Sequence, residues 1–126
     1  MKRIINTGDA PEAIGAYSQA TTANGLLFSA GQIALTPEGE FLGDEPVAVQ
    51  TRQCLENLKA ILENEGLSTQ HVVKTTVYLD DIDDFDAMNE AYAEYFDDNP
   101  PARSALEVGS LPKGAAVEIE VIATTE

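Results

Sequence analysis

The sequence predicts a two-layer α+β domain in which two amphipathic helices pack on one face of a single sheet. Three observations carry that prediction. Two segments repeat apolar residues at helical spacing. Several short segments are rich in β-branched residues and alternate like strands. Their order along the chain is strands, helix, strand, helix, strands. The length of 126 residues suits one domain spanning residues 1–126.

Residues 16–23 and 26–30 read as two strands. Asn24-Gly25 lies between them, a pair that favours the two-residue hairpin turn. Thr36-Pro37-Glu38-Gly39 forms a further turn. A helix is expected over residues 46–65. Asp44 can cap it, Pro46 fits its first turn and Gly66 can end it. Val47, Cys54, Leu55, Leu58, Ile61 and Leu62 share one face, while Arg52, Glu56, Lys59 and Glu63 fall mostly on the other. Residues 72–79 form a strand, with Val73, Thr75, Val77 and Leu79 on one face and Val72, Lys74, Thr76 and Tyr78 on the other.

The second helix is expected over residues 82–96, with Ile82, Phe85, Met88, Tyr92, Tyr95 and Phe96 as its apolar stripe. Asp81, Asp83, Asp84 and Asp86 crowd its first turns, where the helix dipole favours anions. Asn99-Pro100-Pro101 stops it. Strands over residues 103–108 and 117–123 complete the chain, joined by a turn at Leu111-Pro112-Lys113-Gly114. Two helices cover only one face of the sheet. The other face also carries apolar side chains, so a second subunit is expected to cover it.

Apolar residues make up 44% of the chain, enough for a core, but aromatics are only 6% and Trp is absent, so the core must be aliphatic. Acidic residues number 22 against 7 basic ones, a formal net charge of −15. Such a charge repels phosphate backbones and anionic lipid heads, which argues against a nucleic-acid or membrane partner. Evenly spread apolar periodicity argues against disorder. The balance suggests an acidic skin of the kind suited to a salt-rich cytoplasm. Cys54 has no partner for an intramolecular disulfide. The basic start at Lys2-Arg3 is broken by Asn6-Thr7-Gly8-Asp9 before a signal-peptide core forms, and no stretch is long enough to span a bilayer. A cytoplasmic location is expected.

Few residues could carry chemistry. Arginine occurs only at positions 3, 52 and 103. Arg103 opens a strand just after the rigid Pro100-Pro101 pair, and its planar fork matches a carboxylate. It could anchor an anionic substrate or form a structural ion pair with one of the many acids. Glu118 and Glu120 share a strand face, roughly 7 Å apart by strand rise. They could do acid–base work, although outward-facing carboxylates on a half-buried strand are commonly only solvated. His71, the single histidine, falls in a loop or at a strand edge without ligand-spaced partners for a metal. Cys54 lies on an apolar helix face, where a buried inert thiol is expected. The aspartates between Asp80 and Asp86 lack the glycine and spacing of a calcium loop. No phosphate-binding glycine loop is present, and one histidine cannot be matched to a placed serine for a Ser-His-Asp arrangement.

Several segments together resemble one family. They are Ala13-Ile14-Gly15-Ala16-Tyr17-Ser18-Gln19, Phe28-Ser29-Ala30-Gly31-Gln32-Ile33, Val73-Lys74-Thr75-Thr76-Val77-Tyr78-Leu79, Asp84-Phe85-Asp86-Ala87-Met88-Asn89, Pro101-Ala102-Arg103-Ser104 and Val117-Glu118-Ile119-Glu120. In order and over nearly the whole chain, they are similar to the reactive intermediate (imine) deaminase A family, RidA-like or YjgF. The resemblance implies a chorismate-mutase-like α+β fold with a mixed sheet, elements in the order β-β-β-α-β-α-β-β, and a homotrimer with active sites between subunits. It implies cofactor-free and metal-free hydrolysis of 2-iminobutanoate and 2-iminopropanoate to keto acids and ammonia. By that resemblance Arg103 binds the substrate carboxylate and Glu118 helps position the attacking water. Tyr17, Gly31, Asn89 and Ala105 match other substrate-binding positions. Two positions depart from the family pattern: Ala30 stands where Ser is common, and Ala105 where Cys is common, so only backbone groups could serve at Ala105. The alternative is a small-ligand-binding or translation-regulating, ribonuclease-like member of the same family.

Overall fold

A computed structural model describes residues 1–126 and shows a six-stranded mixed sheet with two helices on one face. The strands are β1 (Arg3–Ile5), β2 (Ala20–Ala23), β3 (Leu26–Ser29), β4 (Val72–Leu79), β5 (Ala102–Glu107) and β6 (Val117–Thr124). The helices are α1 (Val47–Asn64) and α2 (Phe85–Ala93). Across the sheet the order is β1-β2-β3-β6-β4-β5, with only β4 and β5 parallel. This is the α+β arrangement and element order the resemblance implied.

The β2–β3 hairpin turns through Asn24 (φ 53°) and Gly25 (φ 79°), two left-handed residues in succession, as the Asn-Gly pair predicted. The strand expected over residues 16–23 is shorter. Residues 16–19 are pulled out of the ladder because the buried Gln19 side chain ties two parts of the chain together. Its amide accepts from the Thr7 N–H at 2.7 Å and donates to the Thr7 and Pro11 carbonyls at 3.0 and 2.9 Å.

Helix α1 lays Cys54, Leu55, Leu58, Ile61 and Leu62 against the sheet, each at most 2% exposed. Full burial of each large aliphatic contributes about 1.5–3 kcal/mol, so this stripe fixes the layer spacing. The Cys54 thiol lies 3.8 Å from the Val117 carbonyl of β6. Asp44 does not cap the helix. Pro46 takes the cap position with φ −58° and ψ 156°, and makes no side-chain hydrogen bond because its ring carries no polar atom. At the other end Gly66 (φ 74°) closes the helix as expected, with its N–H bonded to Glu63 O and that of Leu67 to Leu62 O.

Strand β4 and helix α2 differ from the pattern expected of their sequences. Val73 is 46% exposed while Val72 is buried, because the β4–β6 register shifts between Val72 and Lys74. The bulge turns Val72 inward and hands the core face to Thr75, Val77 and Leu79. Helix α2 is shorter than predicted. Residues 82–84 form a separate tight turn capped by the Asp81 carboxylate, so Ile82 lies outside the buried stripe at 46% exposure. The helix closes after Ala93, where the next N–H groups reach back only three residues. Met88, Tyr92 and Phe96 remain buried.

On the uncovered sheet face, Ile4, Thr21, Phe28, Ile122, Lys74 and Ala102 form one cross-strand row. Ile4 is 60% and Phe28 41% exposed. No helix of the chain is long and apolar enough to cross a membrane.

Candidate functional site

Arg103 sits on edge strand β5, in register with Thr75 of β4, and faces the helices. Its Nη1 donates to Asn89 Oδ1 of α2 at 2.6 Å. Its guanidinium carbon lies 4.7 Å from the Tyr92 ring centroid and 5.3 Å from that of Phe85. Arg103, Asn89, Tyr92, Phe96, Pro100 and Pro101 line a hollow of about 320 Å³. The two prolines fix the approach of β5, as their position in the sequence suggested.

The three arginines differ in one respect. Arg52 spends its Nε/Nη2 edge on Glu94, at 3.0 and 2.9 Å, and Arg3 pairs with Glu65. Arg103 has no carboxylate partner, and the bond to Asn89 is the only hydrogen bond its side chain makes. In a chain with three acids for every base, an arginine whose fork stays open is the exception. Arg103 therefore forms no structural ion pair within the chain, while Arg3 and Arg52 do.

Glu118 lies on β6 with Glu120, on the face away from the helices, as alternation predicted. Its hollow of about 340 Å³ is lined by Tyr17, Gly31, Gln32 and Lys113 among others. The bridge between Gln32 and Ile119, with N–H···O distances of 2.8 and 3.0 Å, brings Gly31 against the glutamate. A Cβ on Gly31 would stand 1.8 Å from Glu118 Oε2, so only glycine leaves the carboxylate its place. Burial, and secondarily the charge of Glu120, raise the Glu118 carboxyl above the ordinary glutamate range. Tyr78 donates to Glu120 Oε2 at 3.3 Å on the same face. Lys113 holds a left-handed backbone (φ 58°) at the rim.

The structure therefore sorts the predicted site residues into two groups. Tyr17, Gly31 and Glu118 share the open-face hollow. Asn89 and Arg103 share the hollow at the helix edge. Ala105 lies two residues beyond Arg103 on the same strand face, packs against the core and lines neither. Arg103 and Glu118 point to opposite faces of the sheet, so a single chain does not bring them together. His71 closes a capping box with Ser68, and no three His, Cys, Asp or Glu side chains converge as a metal site would require. The residues missed from sequence are Thr75, Phe85 and Tyr92 around Arg103, and Gln32 and Lys113 around Glu118. Phe85, Asn89 and Tyr92 did carry a signal in their i, i+4, i+7 spacing, which puts an aromatic–amide–aromatic stripe on one helix face.

The chain matches the family model described as Endoribonuclease L-PSP over residues 7–125. It is 52% identical over 126 residues to a RutC family protein of Pyrococcus horikoshii, covering 100% of both chains. It is 45% identical over 123 residues to the human 2-iminobutanoate/2-iminopropanoate deaminase, covering 98% of this chain and 90% of that one. Among solved structures, E. coli TdcF with bound serine superposes with a TM-score of 0.91 at 41% identity, covering 97% of this chain and 98% of that one.

Proposed function

This chain belongs to the Endoribonuclease L-PSP family, and on that premise we propose that it hydrolyses 2-imino acids such as 2-iminobutanoate and 2-iminopropanoate to 2-keto acids and ammonia. The observation that carries the reading is Arg103, whose Nε/Nη2 edge is free in a chain where the other two arginines are paired. A free guanidinium edge flanked by aromatic rings suits a small carboxylate. Relatives point the same way: the human protein is named for this deamination, and TdcF holds serine, a small amino acid with a carboxylate.

In the proposed mechanism Arg103 binds the carboxylate of the imino acid, and Asn89 holds the guanidinium in place. Water held by Glu118 adds to the carbon of the protonated C=N bond, and the glutamate takes its proton, leaving a neutral carbinolamine. Glu118 gives that proton to the amino nitrogen, ammonia leaves as the C=O bond forms, and the carboxylate takes the hydroxyl proton. A carboxyl raised by burial suits both roles better than a fully solvated one. Tyr17 and Gly31 shape the hollow beside Glu118, and Ala105 offers only backbone groups. An iminium carbon is already electrophilic, so positioning and proton transfer are sufficient machinery.

Arg103 and Glu118 face opposite ways, so the proposed site is shared between copies of the chain in a homotrimer. The exposed row through Ile4 and Phe28 gives such copies an apolar surface to bury. Light scattering on dilute protein is expected to give three times 13.5 kDa, about 40 kDa. Purified protein added to a threonine dehydratase reaction is expected to hasten the loss of imine absorbance. An unchanged decay would remove the deaminase reading.

A further inference from the structure

The Tyr92 ring lies against the Arg103 guanidinium at 4.7 Å, and its hydroxyl is bonded to Thr75 Oγ1 at 2.8 Å. Thr75 is 0% exposed and is the register partner of Arg103 on the neighbouring strand. Strand, helix and arginine therefore form a closed triangle: Thr75 beside Arg103, Tyr92 on Thr75, and Arg103 on Tyr92. A buried hydroxyl without a partner is costly, so the Thr75–Tyr92 bond fixes where the ring can sit. The ring in turn offers its negative face to the guanidinium. Phe85 and Asn89, on the same stripe of α2, limit the other directions of movement.

From this geometry we infer that Tyr92 and Thr75 are positioning residues, which set the guanidinium plane of Arg103 and so direct its free Nε/Nη2 edge toward the substrate carboxylate. The inference deepens the deaminase reading and rests on Arg103 being the carboxylate anchor. Ordinary packing is the competing explanation, since Tyr92 also stacks on Phe96 at 4.7 Å. A packing residue would affect stability alone. A positioning residue changes the environment of Arg103 and the binding of substrate while leaving the chemical step.

Three variants separate the two. Tyr92→Leu removes the ring, Tyr92→Phe keeps the ring but frees it from Thr75, and Thr75→Val frees it from the other side. The first readout is the Arg103 Nε–H resonance of ¹⁵N-arginine-labelled protein without substrate, with Arg3 and Arg52 as internal references. In the wild type the Arg103 proton is expected upfield of the other two, shielded by the rings. Tyr92→Leu removes that shielding whichever role the ring has, so Tyr92→Phe and Thr75→Val, which keep a ring in place, decide this readout: both should broaden or partly shift the proton. The second readout is kinetics on 2-iminopropanoate. Tyr92→Leu should raise KM about tenfold with kcat nearly unchanged, the scale of a desolvated cation–π contact. Added to Arg103→Ala, it should cost nothing more, because the residue it positions is gone.

Tyr92→Phe and Thr75→Val proteins that melt earlier but leave the Arg103 resonance where it was, with KM unchanged in all three variants, would make Tyr92 a packing residue and overturn the inference. If Tyr92→Leu does not fold, the two near-isosteric variants decide the matter alone. If the wild type does not act on iminopropanoate, the deaminase reading falls, and the resonance still decides whether Tyr92 and Thr75 position the arginine.

Discussion

The Arg103 corner and the Glu118 hollow are built by different means. The corner is assembled from regular elements: a strand, a helix stripe and a proline pair hold the guanidinium against two rings and an amide. The hollow is assembled mainly from loops, with residues 11–17, 31–35 and 112–113 gathered around one strand carboxylate. One region supplies a fixed charge, and the other supplies a titratable group in a shaped recess. They lie on opposite faces of one sheet. On the proposed reading they are the two halves of one site, which a single chain cannot close on itself and two copies can close on each other.

Removing one group at a time separates the two regions most strongly. Arg103→Ala should cost about 2–4 kcal/mol of transition-state stabilisation, the range of charged hydrogen bonds in partly buried sites. Arg103→Lys should also be impaired, because it keeps the charge and loses the fork. Refolding equal amounts of Arg103→Ala and Glu118→Gln chains together should then restore about a quarter of wild-type activity, since random mixing in a closed ring gives that share of sites an intact arginine and an intact glutamate. A mixture as dead as its parents would place both groups in one chain's site.

Glu118→Gln alone should lower kcat about a hundredfold, the usual scale of a lost general base, with a smaller effect on KM. Glu120→Gln, on the same strand face, should stay near normal and so serves as its control. Because burial and then Glu120 raise the Glu118 carboxyl, the acid limb of the kcat profile should lie above the ordinary glutamate value. Glu120→Gln removes the like charge and should move that limb to lower pH. If Glu120→Gln is the inactive variant, the assignment of the two glutamates is reversed.

Gly31→Ala is a smaller perturbation of the same half. Its Cβ would displace the Glu118 carboxylate, yet the far end of a glutamate side chain can swing away. Activity should fall about tenfold, as misplacement of a catalytic group does, while the melting temperature changes little. A variant with full kcat would show that Glu118 has no need of its observed place.

Salt should weaken substrate binding at the Arg103 corner while it stabilises the whole chain. Potassium chloride screens the repulsion of a −15 chain and should raise the melting temperature. It should also raise KM modestly, by screening the attraction between Arg103 and the substrate carboxylate. A melting temperature that is flat or falls toward molar salt would remove the expectation of a salt-adapted charge balance.

Much of the fold was legible because single residues encode it locally. Asn24-Gly25 set the hairpin, the α1 stripe set the helix face, and Pro100-Pro101 set the approach to β5. What stayed hidden depends on partners distant in the chain. Asn57 lies on the buried side of α1 because its amide reaches the Leu35 carbonyl at 2.8 Å. Gln50 is buried because its side-chain oxygen accepts from the Ala116 N–H at 3.0 Å. Neither bond leaves a trace in hydrophobic periodicity. The bulge that exchanges Val72 and Val73 is likewise a property of pairing with β6. The candidate site divides the same way. Arg103 and Glu118 stand out by residue type and family pattern, but their placement on opposite faces needed the register of three strands.

The buried thiol of Cys54 has an experimental consequence. Burial first, and the Glu118 charge second, push it far above the ordinary thiol range, so the folded chain offers almost no thiolate to a modifying reagent. With no other cysteine present, the protein carries a single native clock. Modification can proceed only as fast as α1 lifts from β6, so the rate at which the thiol is consumed, without any added label or mutation, times the opening of the core beneath the proposed site.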